Sequence, residues 1–176
     1  RSAHANAYFT GFGAAKRVVF YDTLLSKLSA GEVDAVLAHE LGHFKHKHIV
    51  KRIVSMFAMS LVGFACLGYL AQQNWFYTGL GVHPNLGGAN DALALLLFLL
   101  AMPVLSFFIG PLFAQLSRKH EFEADAYAVK QTSAHDLSSA LLKLFEDNAS
   151  TLTPDPLYVR FYYSHPGASE RLARIQ

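Results

Sequence analysis

Two stretches of the chain carry no polar rhythm at all. Ile53 to Ala71, "IVSMFAMSLVGFACLGYLA", runs 19 residues without an ionisable group, and Ala92 to Leu116, "ALALLLFLLAMPVLSFFIGPLFAQL", runs 25. As helices rising about 1.5 Å per residue they reach roughly 28 and 37 Å, against a hydrocarbon core of about 30 Å. Two buried helices of a soluble core are the alternative, but 176 residues leave little protein to cover both. The pattern therefore predicts two transmembrane helices, the second kinked near Pro103, Gly110 and Pro111. Elsewhere the pattern is periodic. Val33, Val36, Leu37, Leu41 and Phe44 recur at helical spacing behind "SAGE", a capping box with Ser29 as N-cap and Glu32 three residues on. Nothing breaks that pattern before Ile53, so this helix is expected to run into the first span. Upstream, about Ala5 to Thr10 and Lys16 to Tyr21 read as two strands joined by the turn "GFGAA". Downstream, "SRKHEFEADAYAVK" reads as helix and "TSAHDLSSALLKLFEDNA" restarts one behind a Thr or Ser cap. "TPDP" ends that helix, and "SHPGASERLARIQ" forms a last short one after a turn.

Composition agrees with this picture. The chain is 52% hydrophobic and 16% charged, with mean hydropathy +0.23 and net charge +2, which gives no reason to expect a nucleic-acid partner. Lys45, Lys47, Lys51 and Arg52 precede the first span and Arg118 and Lys119 follow the second. The loop from Gln72 to Asp91 has neither Lys nor Arg. That asymmetry predicts a hairpin with both ends on the cytoplasmic side, and Trp75 and Tyr77 fall where an interfacial aromatic belt would lie. The single Cys66 excludes an internal disulfide framework. There is no internal repeat, and residues 1–176 read as one domain. With Arg1 in place of Met and no signal-peptide pattern, the chain reads as part of a longer protein.

The chemistry begins with "VLAHELGHFKHKH". His39, Glu40 and His43 form H-E-x-x-H on the predicted helix, where residues four apart share a face and two imidazoles can reach one zinc at about 2.0 Å. Glu40, about 100° round, misses the metal and can reach a water beside it, as a general base must. His46 shares the face of His39, but three ligands on one straight helix would spread over about 10 Å, and no glycine turn brings the third one back. His46 and His48 are therefore assigned, with Lys45 and Lys47, to a polar cap at the membrane surface.

The third ligand is expected where the second span ends, in "RKHEFEADAY". Its candidates are His120, Glu121, Glu123 and Asp125. Glu121 and Asp125 share a face, whereas Glu123 lies roughly 160° from either. One metal-bound carboxylate and one that orients a metal-bound His account for such a pair, and spacing does not say which is which. Ordinary polar decoration of a helix is the plain alternative.

"HELGHFKHKH", two apolar spans and "SRKHEFEADAYA", with "HANAYFTGFGAAKRVVFYDTLL" before and "YYSHPGASERLARI" after, together resemble the type I CAAX prenyl protease family of integral-membrane zinc metallopeptidases. The resemblance covers nearly the whole chain. It implies that Glu121 is the third zinc ligand beside His39 and His43, with Asp125 supporting the ligands. It implies that Asn6, on the strand beside the cleft, and His165, of a His-Pro pair, hold the substrate backbone and steady the oxyanion. Arg171 matches a basic residue packed near the site. Read without the resemblance, Asn6 is a turn residue and His165 a loop residue before Pro166.

The expected fold is mainly α: a membrane-embedded, zincin-like helical metalloprotease of the gluzincin type with a small N-terminal β-hairpin and two transmembrane helices. The expected activity is zinc-dependent hydrolysis of peptide bonds at the cytoplasmic membrane face. One Zn2+ is held per chain, Glu40 is the base, and the partners are the bilayer and a peptide or protein substrate that the resemblance makes a prenylated one. The competing readings are a related quality-control protease for misfolded membrane proteins and a non-catalytic scaffold with a structural zinc. Retention of Glu40 argues against the scaffold, since a structural site needs no base.

Overall fold

The computed structural model describes residues 7–10, 17–85, 87–147 and 154–175. The chain is mostly helical, in the order β1 (Ala7–Thr10), β2 (Arg17–Phe20), α1 (Asp22–Leu25), α2 (Ala30–Lys45), α3 (His48–Leu70), α4 (Asn74–Gly79), α5 (Asp91–Gln131), α6 (Ala134–Asp147), α7 (Pro156–Tyr162) and α8 (Ala168–Ile175). The strands pair antiparallel, Ala7 opposite Phe20 and Thr10 opposite Arg17, as the turn glycines between them predict. Asn6 lies outside the described residues.

The chain divides into two compact units, residues 1–49 with 111–176 and residues 50–110. In the first, α2 starts at the expected capping box. The Ser29 hydroxyl accepts from the Glu32 amide at 3.3 Å while the Glu32 carboxylate accepts from the Ser29 amide at 2.7 Å. Glu32 is only 4% exposed; Lys143 Nζ reaches its carboxylate at 2.7 Å and the Ser139 hydroxyl donates to it as well, which ties α2 to α6. Those partners, chiefly Lys143, hold its pKa down at about 2. The core of this unit is built from small residues of two facing helices, Ala35 and Ala38 on α2 and Ala128 on α5, closed by Leu137, Leu141 and Ile175. Gly42 continues that stripe. A Cβ added there would stand 2.9 Å from Ala124 Cα and 3.1 Å from its carbonyl oxygen, so α2 and α5 touch backbone to backbone.

In the second unit, Phe76, Tyr77, Ala94 and Leu97 form a cluster against the end of α3 and the start of α5. Tyr77 belongs to this cluster and not to an interfacial belt: it is 2% exposed, and its hydroxyl donates to the Ala71 carbonyl at 2.7 Å. Trp75 stays exposed. The apolar faces of α3 and α5 are uncovered, with Phe57, Leu61, Phe64 and Leu100 all exposed. Both helices are long and apolar enough to cross a membrane, and almost none of their apolar windows is buried. The core helices of a soluble protein are mostly buried, and these windows are not. The helical stretch continues past Pro103 and Pro111 to Gln131, so "SRKHEFEADAYAVK" belongs to α5.

One expectation fails here. The metal-motif helix does not run into the first span. It stops at Lys45, and Lys47 takes a left-handed conformation, φ 55°, before α3 begins at His48. A non-glycine residue there costs about 1 kcal/mol, so no local propensity signals the break.

Candidate active site

α2 contributes His39, Glu40 and His43 from successive turns, and α5 crosses it closely enough at Gly42 to bring Glu121 opposite them. His39 Nε2 and His43 Nε2 lie 3.2 Å apart. Glu121 faces both, Oε2 at 3.7 Å from His39 Nε2 and Oε1 at 3.5 Å from His43 Nε2. Three donor atoms from two helices thus converge on one point, and this trio is one of two His/Glu groups among the described residues able to hold a metal ion. Burial pushes the His43 imidazolium pKa down to about 3, helped by neighbouring cationic groups, so this ring is neutral and able to donate a lone pair at physiological pH. Glu40 is half-buried beside them, and burial, with the nearby Glu121, raises its pKa.

The far side of each imidazole is also occupied. His39 Nδ1 lies 2.9 Å from Asp125 Oδ1. Arg171, from α8, grips the same carboxylate with both edges of its fork, Nε at 2.8 Å from Oδ2 and Nη2 at 2.5 Å from Oδ1. Its Nη1 is 3.8 Å from Glu121 Oε2. Burial alone would raise the pKa of Asp125, but the hydrogen bonds from His39 and Arg171 overturn that and hold it at about 2. The two carboxylates that spacing could not tell apart therefore differ in place: Glu121 faces the Nε2 atoms, Asp125 the Nδ1 atom of His39.

His43 has a partner that the sequence reading misplaced. His48 is not part of an exposed cap; it is 4% exposed, with Nδ1 3.0 Å from His43 Nδ1 and Nε2 2.9 Å from Glu123 Oε2. On an unbroken helix, residues five apart point about 140° away from each other. The left-handed Lys47 folds His48 back beside His43. With a metal on its Nε2, His43 would carry its proton on Nδ1 and donate to His48, whose Nε2–H would then donate to Glu123. His120 stacks on His48 at 4.1 Å.

His165 stands at the open side, exposed, with Nε2 3.6 Å from Glu121 Oε1 and Nδ1 3.0 Å from the Ser164 hydroxyl. The expected set of His39, Glu40, His43, Glu121, Asp125, Arg171 and His165 is thus assembled in one place. His48 and Glu123 join it unforeseen, and β1 touches α2.

This arrangement has relatives. The chain is 35% identical to CAAX prenyl protease 1 of Saccharomyces cerevisiae, over 99% of this chain and 41% of that protein. It is 38% identical to a CAAX prenyl protease 1 homolog of Arabidopsis thaliana, over 99% of this chain and 41% of the relative. It also superposes on the crystal structure of S. mikatae Ste24p with TM-score 0.85 at 35% identity, covering all of this chain and 44% of that one. The chain therefore spans well under half the length of these relatives. A metal ion is what such a family implies, and two imidazoles and a carboxylate converging within a few ångströms suit one. The family model that matches runs through residues 1–176 without a gap at either end, and with it the chain belongs to peptidase family M48.

Proposed function

We propose that the protein is a membrane-embedded, zinc-dependent endopeptidase that cleaves peptide bonds at the cytoplasmic membrane face, its substrates being C-terminal CAAX sequences carrying a prenylated cysteine. The observation that carries the reading is the convergence of His39, His43 and Glu121 with Glu40 beside them. Donors on a tetrahedral zinc with bonds of about 2.0–2.1 Å stand about 3.3–3.4 Å apart. The two Nε2 atoms stand 3.2 Å apart, close to that spacing, and one oxygen of Glu121 lies near each ring, Oε1 3.5 Å from His43 and Oε2 3.7 Å from His39, which supports the assignment. Three protein ligands leave a fourth position open, as a catalytic centre needs.

Held there, zinc supplies Lewis acidity that polarises the scissile carbonyl and makes water more acidic. The remaining work belongs to the chain. Glu40 takes the proton from the attacking water and delivers it to the leaving amine, and its raised pKa suits a group that must hold that proton in between. Asp125 accepts from His39 Nδ1–H and keeps Nε2 bare for the metal, while Arg171 neutralises the carboxylate that does so. His165, exposed and close to Glu121, is assigned the donor to the developing oxyanion, an interaction worth a few kcal/mol. β1, next to α2, has one edge on β2; among the described residues its other edge has no strand partner and suits pairing with an extended peptide, where the family resemblance puts Asn6. The uncovered apolar faces of α3 and α5 take the bilayer as their partner.

The natural full-length protein carries the test, assayed on matched farnesylated and unprenylated CAAX peptides. Glu40→Gln should keep its metal and lose about 10²–10⁴-fold in turnover. Equal cleavage of the two peptides would refute prenyl specificity and leave the peptidase standing; full activity in Glu40→Gln would refute the peptidase mechanism itself.

A further inference from the structure

The second convergent group lies next to the first. His46, His48 and Glu123 each offer a ligand atom, all within 4.8 Å of one another. The left-handed turn at Lys47 sets the two imidazoles face to face, centroids 5.5 Å apart and planes 13° apart. A backbone conformation that costs about 1 kcal/mol at a lysine brings the two rings together, stacked, so that His46 must turn before both lone pairs meet one ion. Across from them, Glu123 already sits 2.9 Å from His48 Nε2. The stacked His120 ring backs His48. Lys119 Nζ, 3.8 Å from the other Glu123 oxygen, is on a side chain 71% exposed and free to swing out.

We propose that His46, His48 and Glu123 form a second divalent-metal site, of the nitrogen and carboxylate type that takes zinc, and that its occupancy weakens metal binding at His39, His43 and Glu121. Two imidazole nitrogens and a carboxylate, with water as fourth ligand, satisfy a tetrahedral zinc. His48 and Glu123 are held in place, and the partly exposed His46 closes the gap by turning its ring, which gives the metal an entry from solvent.

The coupling follows from where one proton must sit. With metal at the first site, His43 Nδ1–H donates to a bare His48 Nδ1, and the His48 proton is on Nε2. A second metal takes that Nε2 and moves the proton to Nδ1. Two N–H groups then oppose each other across 3.0 Å, and His43 loses the acceptor that orients it. Loss of such an outer partner lowers metal affinity about 10–100-fold, so each metal weakens the other by the same factor. The site itself does not depend on the peptidase reading; the expected loss of activity does.

The test is a zinc titration of the metal-stripped full-length protein in detergent, by calorimetry against a competing indicator. Wild type should bind two equivalents, His46→Ala one and His39→Ala one. Activity of the wild type should fall as zinc passes the first equivalent, whereas His46→Ala should match it at one equivalent and resist the excess. A wild type that binds one equivalent, kept in His46→Ala and lost in His39→Ala, would overturn the second site while leaving the first intact. One equivalent lost in His46→Ala and kept in His39→Ala would instead refute the first site. Inhibition by excess zinc that persists unchanged in His46→Ala would overturn the coupling.

Discussion

Gly42→Ala isolates what the close crossing of α2 and α5 does for the metal centre. In a solvent-exposed helix this substitution stabilises by about 1 kcal/mol, because alanine is the better helix former. Here the new methyl meets backbone: Ala124 Cα at 2.9 Å, its carbonyl oxygen at 3.1 Å and Tyr127 Cβ at 3.2 Å. An ordinary carbon–carbon contact needs about 3.5 Å or more, so the helices must part by about 0.6 Å, and no side-chain rotation can absorb it. Overpacking of this kind costs about 1–3 kcal/mol, which cancels the propensity gain and leaves a net destabilisation of about 0–2 kcal/mol. The larger effect falls on metal binding. Gly42 precedes His43, and Ala124 lies between Glu121 and Asp125, so the same displacement draws the Glu121 carboxylate off both Nε2 atoms. Those separations, 3.5 and 3.7 Å, have no slack to give. Zinc affinity should fall about 10–100-fold, a factor of the size that misplaced supporting groups cost. Competition with a chromophoric chelator reads the affinity, and thermal unfolding of the metal-free protein reads the packing. A variant with unchanged zinc affinity and a raised melting temperature would refute the idea that this backbone contact sets the ligand geometry.

His48 provides a sharper pair of variants. His48→Asn puts an amide oxygen where Nδ1 accepts from His43, so it should keep zinc affinity within a few-fold, whereas His48→Leu should lose about 10–100-fold; equal losses in both would show that His48 acts by packing alone. Glu32 governs acid stability. Its folded pKa, about 2, lies below the ordinary 4.5, so its contribution is complete above pH 4.5 and lost as pH falls from there toward 2. Glu32→Gln should flatten the unfolding free energy across that window, and denaturant titrations at pH 5 and pH 3 showing the same drop as wild type would count against it.

The sequence pattern made most of this readable where local chemistry decides local structure. The capping box at Ser29 and Glu32, the antiparallel pairing of the two strands and the helical state of the two apolar runs all form as read, because each is specified within a few neighbouring residues. The convergence of His39 and His43 was legible because residues four apart on a helix share a face, which is a local property. What escaped depends on contacts across the fold. Lys47 carries no sign of a left-handed turn, since neither glycine nor asparagine marks it, and without that break His48 appears to belong on another face. Glu123, on the opposite side of α5 from Glu121, looks like decoration until His48 arrives to meet it. α4 and α7 are too short for periodicity to register, and Tyr77 reads as a belt residue unless the cluster that buries it is known.

α5 carries the end of an apolar run and, shortly after it, the carboxylate that faces His39 and His43. Leu116 closes the apolar run and Glu121 follows five residues later, about 7.5 Å along the axis at about 1.5 Å per residue. That short interval fixes how far the candidate metal site stands from the end of the apolar run. A residue inserted between Leu116 and Glu121 would also turn the carboxylate by about 100°, away from its partners, so this short interval tolerates substitution far better than a change in length.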